Sequence, residues 1–341
     1  MVAHPDFPSV RHDPAIRLGP VLVLGATGNL GNALTQALLN QGVHVRALHR
    51  EPATARAHSG ANAPTPEWVK GDAMDAASVR AAAEGVDWIV HAVNPPGYRR
   101  WGELVLPMMA SSIAAARETG ARILLPGNVY NFGPDAGDDL HEASPQHPVT
   151  RKGQVRVALE SSLQQAAQDG VRSLVLRAGD FFGPQAGSHW FAQGMVEPGQ
   201  PVRRVMLPGT PGVGHQWAYL PDVAATALAL MRRADALADF DVFHFHGLWD
   251  QDGLQIAQAI RRVVGQPELP LRRLPWWTLR LAAPFMPLAR ELVEMRYLWQ
   301  RPQRMRNDKL LRVLGAEPHT ALDEAVRRSL KGLGCLNSGT A

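Results

Sequence analysis

Cysteine is almost absent from this sequence of 341 residues, because Cys335 is its one cysteine. A single thiol excludes an intramolecular disulfide and a metal site built from several cysteines. The chain should instead fold through an apolar core, since apolar residues make up 45% and charged residues 19% of the composition. A reducing cytoplasm is the location that fits this composition best.

Long runs of one charge are also missing. Lysine and arginine number 35 against 31 aspartate and glutamate, which leaves a formal net charge of +4. Nucleic-acid-binding surfaces need clustered cations, so this balance predicts no nucleic-acid partner. The arginines are compatible with a solvated surface or with phosphate ligands.

No stretch is apolar for long enough to cross a membrane. Residues 1–20 mix prolines, histidines and charges, so they predict no secretory signal, and residues 1–18 are expected to form a flexible lead-in. The most apolar later stretch, residues 276–288, is interrupted by Arg280, Pro284 and Pro287. We therefore expect no integral membrane segment. A peripheral surface contact through Trp276, Trp277 and the nearby arginines, as in an assembly or lipid-associated factor, stays open as a third hypothesis.

What the sequence does contain is a regular alternation of short apolar runs and helical patterns. Residues 21–24 predict a buried strand and residues 29–40 the helix that follows. Further buried strands are predicted over residues 43–48, 68–70, 88–92, 123–125, 173–176 and 242–245. Alternation of this kind is typical of a parallel sheet with helical crossovers. The predicted fold class is α/β, a doubly wound parallel-sheet Rossmann fold with a smaller, interleaved, mostly α-helical substrate lobe.

The alternation becomes irregular after Gly183, where glycine and proline are frequent through Gly214. We assign residues 19–182 and 215–250 to the Rossmann domain, and residues 183–214 and 251–335 to the small lobe. A helix over residues 222–237, with Asp222 as its N-cap, is expected to return the chain to the large domain. Helices over residues 254–264, 276–288 and 323–330 are expected to build most of the small lobe.

A glycine-rich turn separates the first strand from the first helix. It reads Gly25-Ala26-Thr27-Gly28-Asn29-Leu30-Gly31. Glycine lets a backbone approach a pyrophosphate closely, and the helix N-terminus presents free N–H groups with roughly half a positive charge. This context of strand, turn and helix predicts a nicotinamide dinucleotide site. The predicted contacts are Gly25, Thr27, Gly28, Asn29, Leu30 and Gly31.

The end of the second strand usually decides between NAD and NADP, because a carboxylate there binds the free ribose hydroxyls. This chain has His49 and Arg50 instead, and an arginine pairs well with a 2′-phosphate. NADP is therefore the predicted cofactor. Glu51 keeps NAD open as the less favoured alternative, and Gly71-Asp72 after the third strand is placed to contact the adenine.

Several further motifs resemble the short-chain dehydrogenase/reductase superfamily, and the chain looks like an atypical member of its extended branch, the NAD(P)-dependent epimerase/dehydratase family. The motifs that carry this resemblance are the glycine turn, Gly71-Asp72, Val90-His91-Ala92-Val93, Asn128-Val129-Tyr130, residues 177–184, residues 219–224 and the closing stretches 307–315 and 320–325. The resemblance implies an enzyme and further cofactor contacts at Ala92, Val93, Asn94, Lys152, Ala178, Asp180 and Phe181. It also allows a homodimer.

The chain departs from this family where the proton relay is expected. Family members use a serine or threonine, a tyrosine and a lysine four residues after that tyrosine, so that the phenol exchanges a proton while hydride moves. Here Lys152 stands at the tyrosine position and Arg156 at the lysine position. The available catalytic candidates are Asn128, Tyr130 and Lys152, with Lys152 stabilising a Tyr130 phenolate. Packing of Tyr130 beneath the cofactor is the alternative.

Substrate contacts are expected after the fourth strand and in the irregular segment that should cover the nicotinamide. Tyr98 and Arg99 suit an anionic or aromatic ligand, whereas His189, Trp190 and Trp217 suit contacts near the nicotinamide. The period-two pair His244 and His246 lacks a third ligand in the nearby sequence, so no metal site is predicted. The hypothesis is an NADP-dependent oxidoreductase or epimerase/dehydratase-like enzyme acting on a small organic or nucleotide-sugar substrate. The alternative is a non-catalytic NADP-binding sensor or regulatory protein.

Overall fold

The computed structural model describes residues 18–57, 64–95, 100–185, 187 and 189–336. The strands of this part of the chain are β1 Val21–Leu24, β2 Val45–His49, β3 Glu67–Lys70, β4 Trp88–His91, β5 Arg122–Asn128, β6 Asp139–Leu140, β7 Ser173–Ala178, β8 Asp180–Phe182, β9 Val205–Leu207, β10 His215–Tyr219, β11 Phe240–His244, β12 Leu248–Asp250, β13 Leu271–Arg273 and β14 Arg304–Met305.

The helices of the described residues are α1 Asn29–Asn40, α2 Pro52–Ala57, α3 Ala76–Ala82, α4 Trp101–Thr119, α5 Arg151–Gln168, α6 Leu220–Met231, α7 Gln255–Val264, α8 Trp276–Ala282, α9 Pro287–Glu294, α10 Asp308–Leu314 and α11 Leu322–Gly332. In the same residues, none of them has the length and the hydrophobicity that a bilayer-spanning helix needs. Short 3₁₀ turns include Val129–Asn131 and Met295–Trp299.

Seven strands form one parallel sheet in the order β11-β7-β5-β4-β1-β2-β3. The predicted doubly wound Rossmann fold is therefore confirmed. Strand order reverses between β1 and β4, since β2 and β3 lie on one side and β5, β7 and β11 on the other. Open α/β sheets bind ligands at such a switch point, beyond the carboxyl ends of the strands.

Side chains of each strand alternate between two apolar layers. In β1, Val21 and Val23 face a layer that α1 and α6 supply, whereas Leu22 and Leu24 face a layer that α3, α4 and α5 supply. All four are at most 1% exposed. Because both faces are covered by helices, the strand is a continuous apolar run rather than an alternating one.

A third apolar layer lies outside the large sheet. It is built around Phe182, Phe191, Trp217, Ile260 and Val326, all buried. Short strands support it, in the orders β12-β10-β8 and β13-β9. The layer thus combines residues from the middle and the end of the chain, while β6 pairs with β14 in a separate two-stranded ladder.

Two predicted helices begin or end differently. The helix expected over residues 222–237 runs from Leu220 to Met231 with Tyr219 as its N-cap, because Asp222 instead accepts hydrogen bonds from the Thr320 N–H and hydroxyl, both at 2.7 Å. The helix expected over residues 276–288 is two helices, α8 and α9, and Pro284 lies between them.

Candidate cofactor and substrate site

The turn after β1 has the geometry of a phosphate-binding turn. Gly25 has a φ of +84°, and a Cβ there would lie 2.7 Å from the Ala92 carbonyl oxygen. A Cβ on Gly31 would lie 2.1 Å from the Gly25 carbonyl oxygen. Gly28 is the N-cap of α1 and supplies no side-chain cap, so the first helical N–H groups are available to an anion. The turn therefore fits a pyrophosphate, and the predicted contacts Thr27, Asn29 and Leu30 lie within it.

A loop from the other end of the sheet lies against this turn. A Cβ on Gly187 would be 2.1 Å from the Asn29 side-chain oxygen, so the backbone of the loop after β8 comes into contact with the start of α1. Only glycine leaves the Asn29 side chain in place there. Gly187 is therefore packed against the residue that begins α1.

The ends of β2 and β3 lie beside the turn. The register aligns Leu24 with Leu48, so His49 and Arg50 follow at the same edge as Gly25. His49 accepts the Glu51 N–H at 3.0 Å through Nδ1, and its ring meets Trp68 edge-on at 5.9 Å. Arg50 is exposed. Asp72, which follows Gly71, uses its carboxylate to accept the Met74 N–H at 3.0 Å, a local turn contact.

The end of β4 is held against the glycine turn by its backbone. The Ala92 N–H donates to the Leu24 carbonyl at 3.0 Å, and Val93 also packs against Gly25. Asn94 is exposed, and its side-chain oxygen accepts the Trp101 indole N–H at 3.2 Å. The predicted substrate residues Tyr98 and Arg99 lie outside the described residues.

The end of β5 carries Asn128 and Tyr130. The Asn128 side-chain oxygen accepts the Tyr130 N–H at 3.0 Å and caps the 3₁₀ turn that begins at Val129. Tyr130 is half-buried beside Met295 and Tyr297. The Asn128 oxygen is thus committed to the backbone, and its amide nitrogen is the atom left for a ligand.

Lys152 lies next to Tyr130 along the start of α5. A Cβ on Gly153 would be 2.3 Å from the Tyr130 carbonyl oxygen, which places these two segments in direct contact. The Lys152 Nζ is 2.8 Å from a Glu291 carboxylate oxygen, with the two side chains 7% and 18% exposed. The position that carries tyrosine in the resembled family is therefore part of a largely buried ion pair.

Arg156, one turn later, is turned toward the sheet. Its guanidinium donates to the Pro126 carbonyl at 3.1 Å and lies 5.3 Å from the Trp101 ring centre. Burial, together with the positive charge of Arg156, lowers the pKa of His91 to about 3. The two cations on α5 thus have separate surroundings, Lys152 beside Glu291 and Arg156 beside Pro126 and Trp101.

Beyond β7, the structure brings together a carboxylate and an imidazole. Asp180 lies 2.9 Å from the His215 Nε2, and both side chains are at most 8% exposed. The His215 ring stacks on Trp299 with ring centres 3.7 Å apart and an interplanar angle of 8°. Trp217 meets the edge of His215 at 5.0 Å.

The strand register places these groups at the edge of the sheet where β5 and β7 end. Ala178, the last residue of β7, is aligned with Asn128 of β5. The predicted contacts Ala178 and Asp180 therefore lie at the same edge of the sheet as the catalytic candidates. Phe181 packs against the apolar layer of α1 and α6 instead.

His189 and Trp190 are tied into the fold. The His189 Nδ1 accepts the Ala192 N–H at 3.2 Å, so the proton is on Nε2, which donates to the Gln185 carbonyl at 2.9 Å. Burial lowers the pKa of His189. Trp190 is 8% exposed and meets the Trp299 ring at 5.2 Å. Both residues are therefore held by contacts within the fold, and the imidazole nitrogens of His189 already have partners.

A small cavity of about 10 Å³ lies between Trp217, Trp299 and His215, about the size that holds one water. Within the described part of the chain, the indole N–H groups of Trp217 and Trp299 are buried without an acceptor. Trp299 and Glu291 were not found from the sequence. Both belong to the last third of the chain. They are far in sequence from their partners, His215 for Trp299 and Lys152 for Glu291, so no local pattern predicts these contacts.

His244 and His246 do not converge on a common ligand. His244 is buried, and burial followed by the charge of Arg177 lowers its pKa to about 3. The His246 Nδ1 instead lies 2.7 Å from the Met305 carbonyl oxygen. No cluster of three or more metal-ligating side chains occurs in the residues that the structure describes.

Residues 21–244 match the model of the NAD dependent epimerase/dehydratase family. Among curated relatives, dTDP-6-deoxy-L-talose 4-dehydrogenase (NAD(P)(+)) of Kitasatospora kifunensis is 28% identical over 184 residues, which is 50% of this chain and 54% of the relative. The 3 beta-hydroxysteroid dehydrogenase/Delta 5-->4-isomerase of Mycobacterium tuberculosis is 40% identical over 74 residues, 22% of this chain and 19% of the relative. The chain thus spans about half the length, or less, of these relatives.

Solved structures with the same fold cover nearly the whole chain. UDP-glucose-4-epimerase from Stenotrophomonas maltophila, with bound NAD and formylated UDP-arabinopyranose, has a TM-score of 0.72 and 16% identity, covering 93% of this chain and 98% of its own. UDP-N-acetylglucosamine 4-epimerase from Methanobrevibacter ruminantium, in complex with UDP-N-acetylmuramic acid, has a TM-score of 0.70 and 14% identity, covering 92% and 97%. At such identities these likenesses concern the fold.

Proposed function

The chain belongs to the NAD dependent epimerase/dehydratase family, and on that premise we propose that it is an NADP-dependent oxidoreductase or epimerase-like enzyme. Its substrate is a small organic molecule or a nucleotide sugar. The observation that carries this proposal is the glycine turn, where Gly25 and Gly31 leave no room for a Cβ and α1 begins without a side-chain cap. Such a turn suits a dinucleotide pyrophosphate.

The preference for NADP rests on the end of β2. His49 and Arg50 occupy the position where a carboxylate would bind the ribose hydroxyls of NAD. Arg50 is exposed, so its guanidinium is able to pair with a 2′-phosphate in two parallel hydrogen bonds. His49 is fixed beside it by the Glu51 N–H. The dTDP-6-deoxy-L-talose dehydrogenase relative carries both cofactors in its name, which is compatible with this choice.

The chemical step is assigned to residues at the ends of β5 and β7. When bound, the dinucleotide supplies or accepts hydride at the substrate carbon. Tyr130 holds the proton that is exchanged at the substrate oxygen, and the Asn128 amide nitrogen donates a hydrogen bond to that oxygen. Lys152 precedes Gly153, which contacts the Tyr130 backbone, and it is assigned to stabilise negative charge on the phenolate.

The cofactor assignment is tested by titrating the protein with NADPH and NADH and following fluorescence. NADPH should bind more tightly, and Arg50→Ala should weaken NADPH by about tenfold or more while changing NADH little, because a charge-assisted pair contributes roughly 1.5–3 kcal/mol. Arg312→Ala, an exposed arginine on α10, is the matched control. Equal affinity of the wild-type protein for both nucleotides would contradict the NADP assignment.

The catalytic assignment needs a turnover assay. dTDP-6-deoxy-L-talose, with NADP reduction as the readout, and UDP-glucose, with formation of its 4-epimer as the readout, are suitable first substrates named after the relatives and neighbours. Tyr130→Phe should lower kcat by roughly 10²–10⁴ while leaving the NADPH affinity unchanged. Unchanged turnover in this variant would remove Tyr130 from the mechanism.

The second candidate function is a sensor that binds the dinucleotide without chemistry. The observation in its favour is that Lys152 and Arg156, at the positions of the family's relay, are engaged with Glu291 and with the Pro126 carbonyl. Tight NADPH binding, together with no hydride exchange on any nucleotide sugar or carbonyl compound offered, would favour this candidate.

A further inference from the structure

The region around α8 presents large apolar side chains to solvent. Among the described residues, four of the seven exposed large hydrophobic side chains lie here: Trp277 at 67%, Leu281 at 68%, Phe285 at 86% and Met286 at 54%. We name these four residues the apolar tip. Trp277, Leu281 and Phe285 are spaced by four, and the Phe285 and Met286 N–H groups still donate to the Ala282 carbonyl, at 3.0 and 2.8 Å. The tip is therefore one helical face and its closing turn.

The fold exposes this face and partly buries the opposite one. Trp276, adjacent to Trp277, points inward and donates its indole N–H to the Pro208 carbonyl at 2.8 Å. Its ring also meets Trp190 at 5.9 Å. α8 is thus anchored through one tryptophan, while the next tryptophan stays in solvent.

The apolar tip lies within a segment of one charge sign. From Leu269 to Arg290 the chain contains four arginines and no acidic residue, a local charge that equals the net charge of +4 of the whole chain. These arginines, all exposed, are Arg272, Arg273, Arg280 and Arg290. Exposed aromatic and aliphatic side chains flanked by arginine are the combination that anionic membrane surfaces attract.

A cavity of about 520 Å³ opens directly beside the apolar tip. Arg273, Arg280 and Arg296 line it, together with Trp277 of the tip itself. The Arg296 guanidinium lies 5.5 Å from the Trp276 ring centre, which orients it along the cavity wall. Three guanidinium groups around one cavity suit a phosphate group, because arginine binds phosphate through paired hydrogen bonds.

We propose that the apolar tip docks on the surface of a bilayer containing anionic phospholipids, with the tip side chains at the boundary of the acyl chains and a lipid phosphate in the adjacent cavity. A second copy of this chain is a poorer occupant, because a two-fold interface would bring four arginines against the same four. The bilayer instead matches both features at once, since its phosphates complement the arginines and its acyl chains receive the tip.

The test is flotation of the full chain with vesicles of phosphatidylcholine and phosphatidylglycerol, compared with vesicles of phosphatidylcholine alone. Wild-type protein should float with the anionic vesicles and dissociate at high salt. Leu281→Ser with Phe285→Ser should lower the partition coefficient by about tenfold or more. Arg273→Ala with Arg280→Ala should lower the partition coefficient roughly 25-fold, about fivefold for each charge.

Matched controls come from exposed residues elsewhere. Val149→Ser replaces a side chain that is 60% exposed, and Arg312→Ala removes an exposed arginine, so both variants should float as the wild-type protein does. Thermal unfolding of each variant verifies that its fold is retained.

Four results would overturn the proposal. The first is the absence of flotation with anionic vesicles, and the second is equal flotation with phosphatidylcholine alone. The third is a wild-type dimer that Leu281→Ser with Phe285→Ser converts to monomer in light scattering, which would assign the apolar tip to a second copy. The fourth is tight binding of inorganic phosphate that the arginine variants abolish while vesicle flotation is unaffected, which would make the cavity a site for a free anion.

Discussion

Glu160→Gln should destabilise the protein strongly, because it removes the charge that compensates a fully buried arginine. Arg177 on β7 is 1% exposed, and its Nε and Nη2 donate to the two Glu160 carboxylate oxygens at 3.0 and 2.5 Å. Asn131 donates to the same carboxylate at 2.9 Å. Glutamine keeps the shape of the side chain but leaves the guanidinium without a counter-charge, beside His244, whose pKa is lowered to about 3.

The expected loss follows from burial. Breaking a buried ion pair by removing one partner costs roughly 3–5 kcal/mol, which is a large part of the roughly 5–15 kcal/mol unfolding free energy of a folded protein. The melting temperature should fall by about 5–15 °C. Asp169→Asn is the control, since the Arg117–Asp169 pair also involves α5 but has side chains 50% and 62% exposed. Such an exposed pair contributes at most about 1 kcal/mol.

Thermal and urea unfolding compare the stability lost by Glu160→Gln with that lost by Asp169→Asn. A double variant tests whether the uncompensated charge causes the loss. Glu160→Leu combined with Arg177→Met removes both charges and keeps the volume, so it should recover most of the stability that Glu160→Gln loses. If Glu160→Gln loses no more stability than Asp169→Asn, the guanidinium is not dependent on this carboxylate and the reasoning fails.

Three other perturbations have defined outcomes. Burial and neighbouring guanidinium groups lower the pKa values of His91 and His244 to about 3, so the stability that their neutral form contributes is complete above the unfolded pKa of 6.5 and is lost as the pH falls toward 3. Each histidine should lower the unfolding free energy by about 2 kcal/mol at pH 5. Equal urea midpoints at pH 7 and pH 5 would contradict this. Gly31→Ala should abolish NADPH binding or unfold the turn, because its Cβ would lie 2.1 Å from a backbone oxygen, and nucleotide titration with circular dichroism checks both. Asp222→Ala should cost roughly 2 kcal/mol in urea unfolding through loss of its two bonds to Thr320, and a loss below about 0.5 kcal/mol would show these bonds to be dispensable.

Short sequence patterns are sufficient to predict elements whose interacting residues are neighbours in sequence. The helix predicted over residues 29–40 is α1, because the strand, the glycine turn and the amphipathic pattern are contiguous in sequence. The predicted tight turn is also present, because Gly25 and Gly31 leave no room for a Cβ. Its geometry is specified by its own residues, and the cofactor contacts assigned to it stay a prediction.

Strand β5 shows where local patterns are insufficient. The sequence predicts this strand as far as Leu125, whereas the strand continues through Pro126 and Gly127 to Asn128. The ladder to β4 ends at Leu124, before the proline, and a Cβ on Gly127 would lie 2.8 Å from the Arg177 side chain. The neighbouring strands β4 and β7 therefore explain why proline and glycine fit in this strand. Neither neighbour is close to β5 in sequence, so a local sequence pattern does not reveal this.

The polar contacts of the site are the part that the sequence could not supply. Lys152 was expected from its position on α5, but its partner Glu291 lies on α9, and His215 stacks on Trp299 from another distant segment. Such pairs depend on how the closing helices dock. The hydrophobic pattern of one segment does not predict which distant segment it contacts.

The start of α5 depends on a residue far along the chain. The Thr150 hydroxyl accepts the Gly153 N–H at 3.0 Å, whereas the Arg151 N–H donates to Glu294 of α9 at 2.8 Å. The first turn of this helix is therefore completed only when α9 is docked, which couples the local unfolding of the two segments. Amide hydrogen exchange at Arg151 should consequently report the opening of α9. The exchange rate of this one backbone proton therefore measures how often α9 separates from the start of α5.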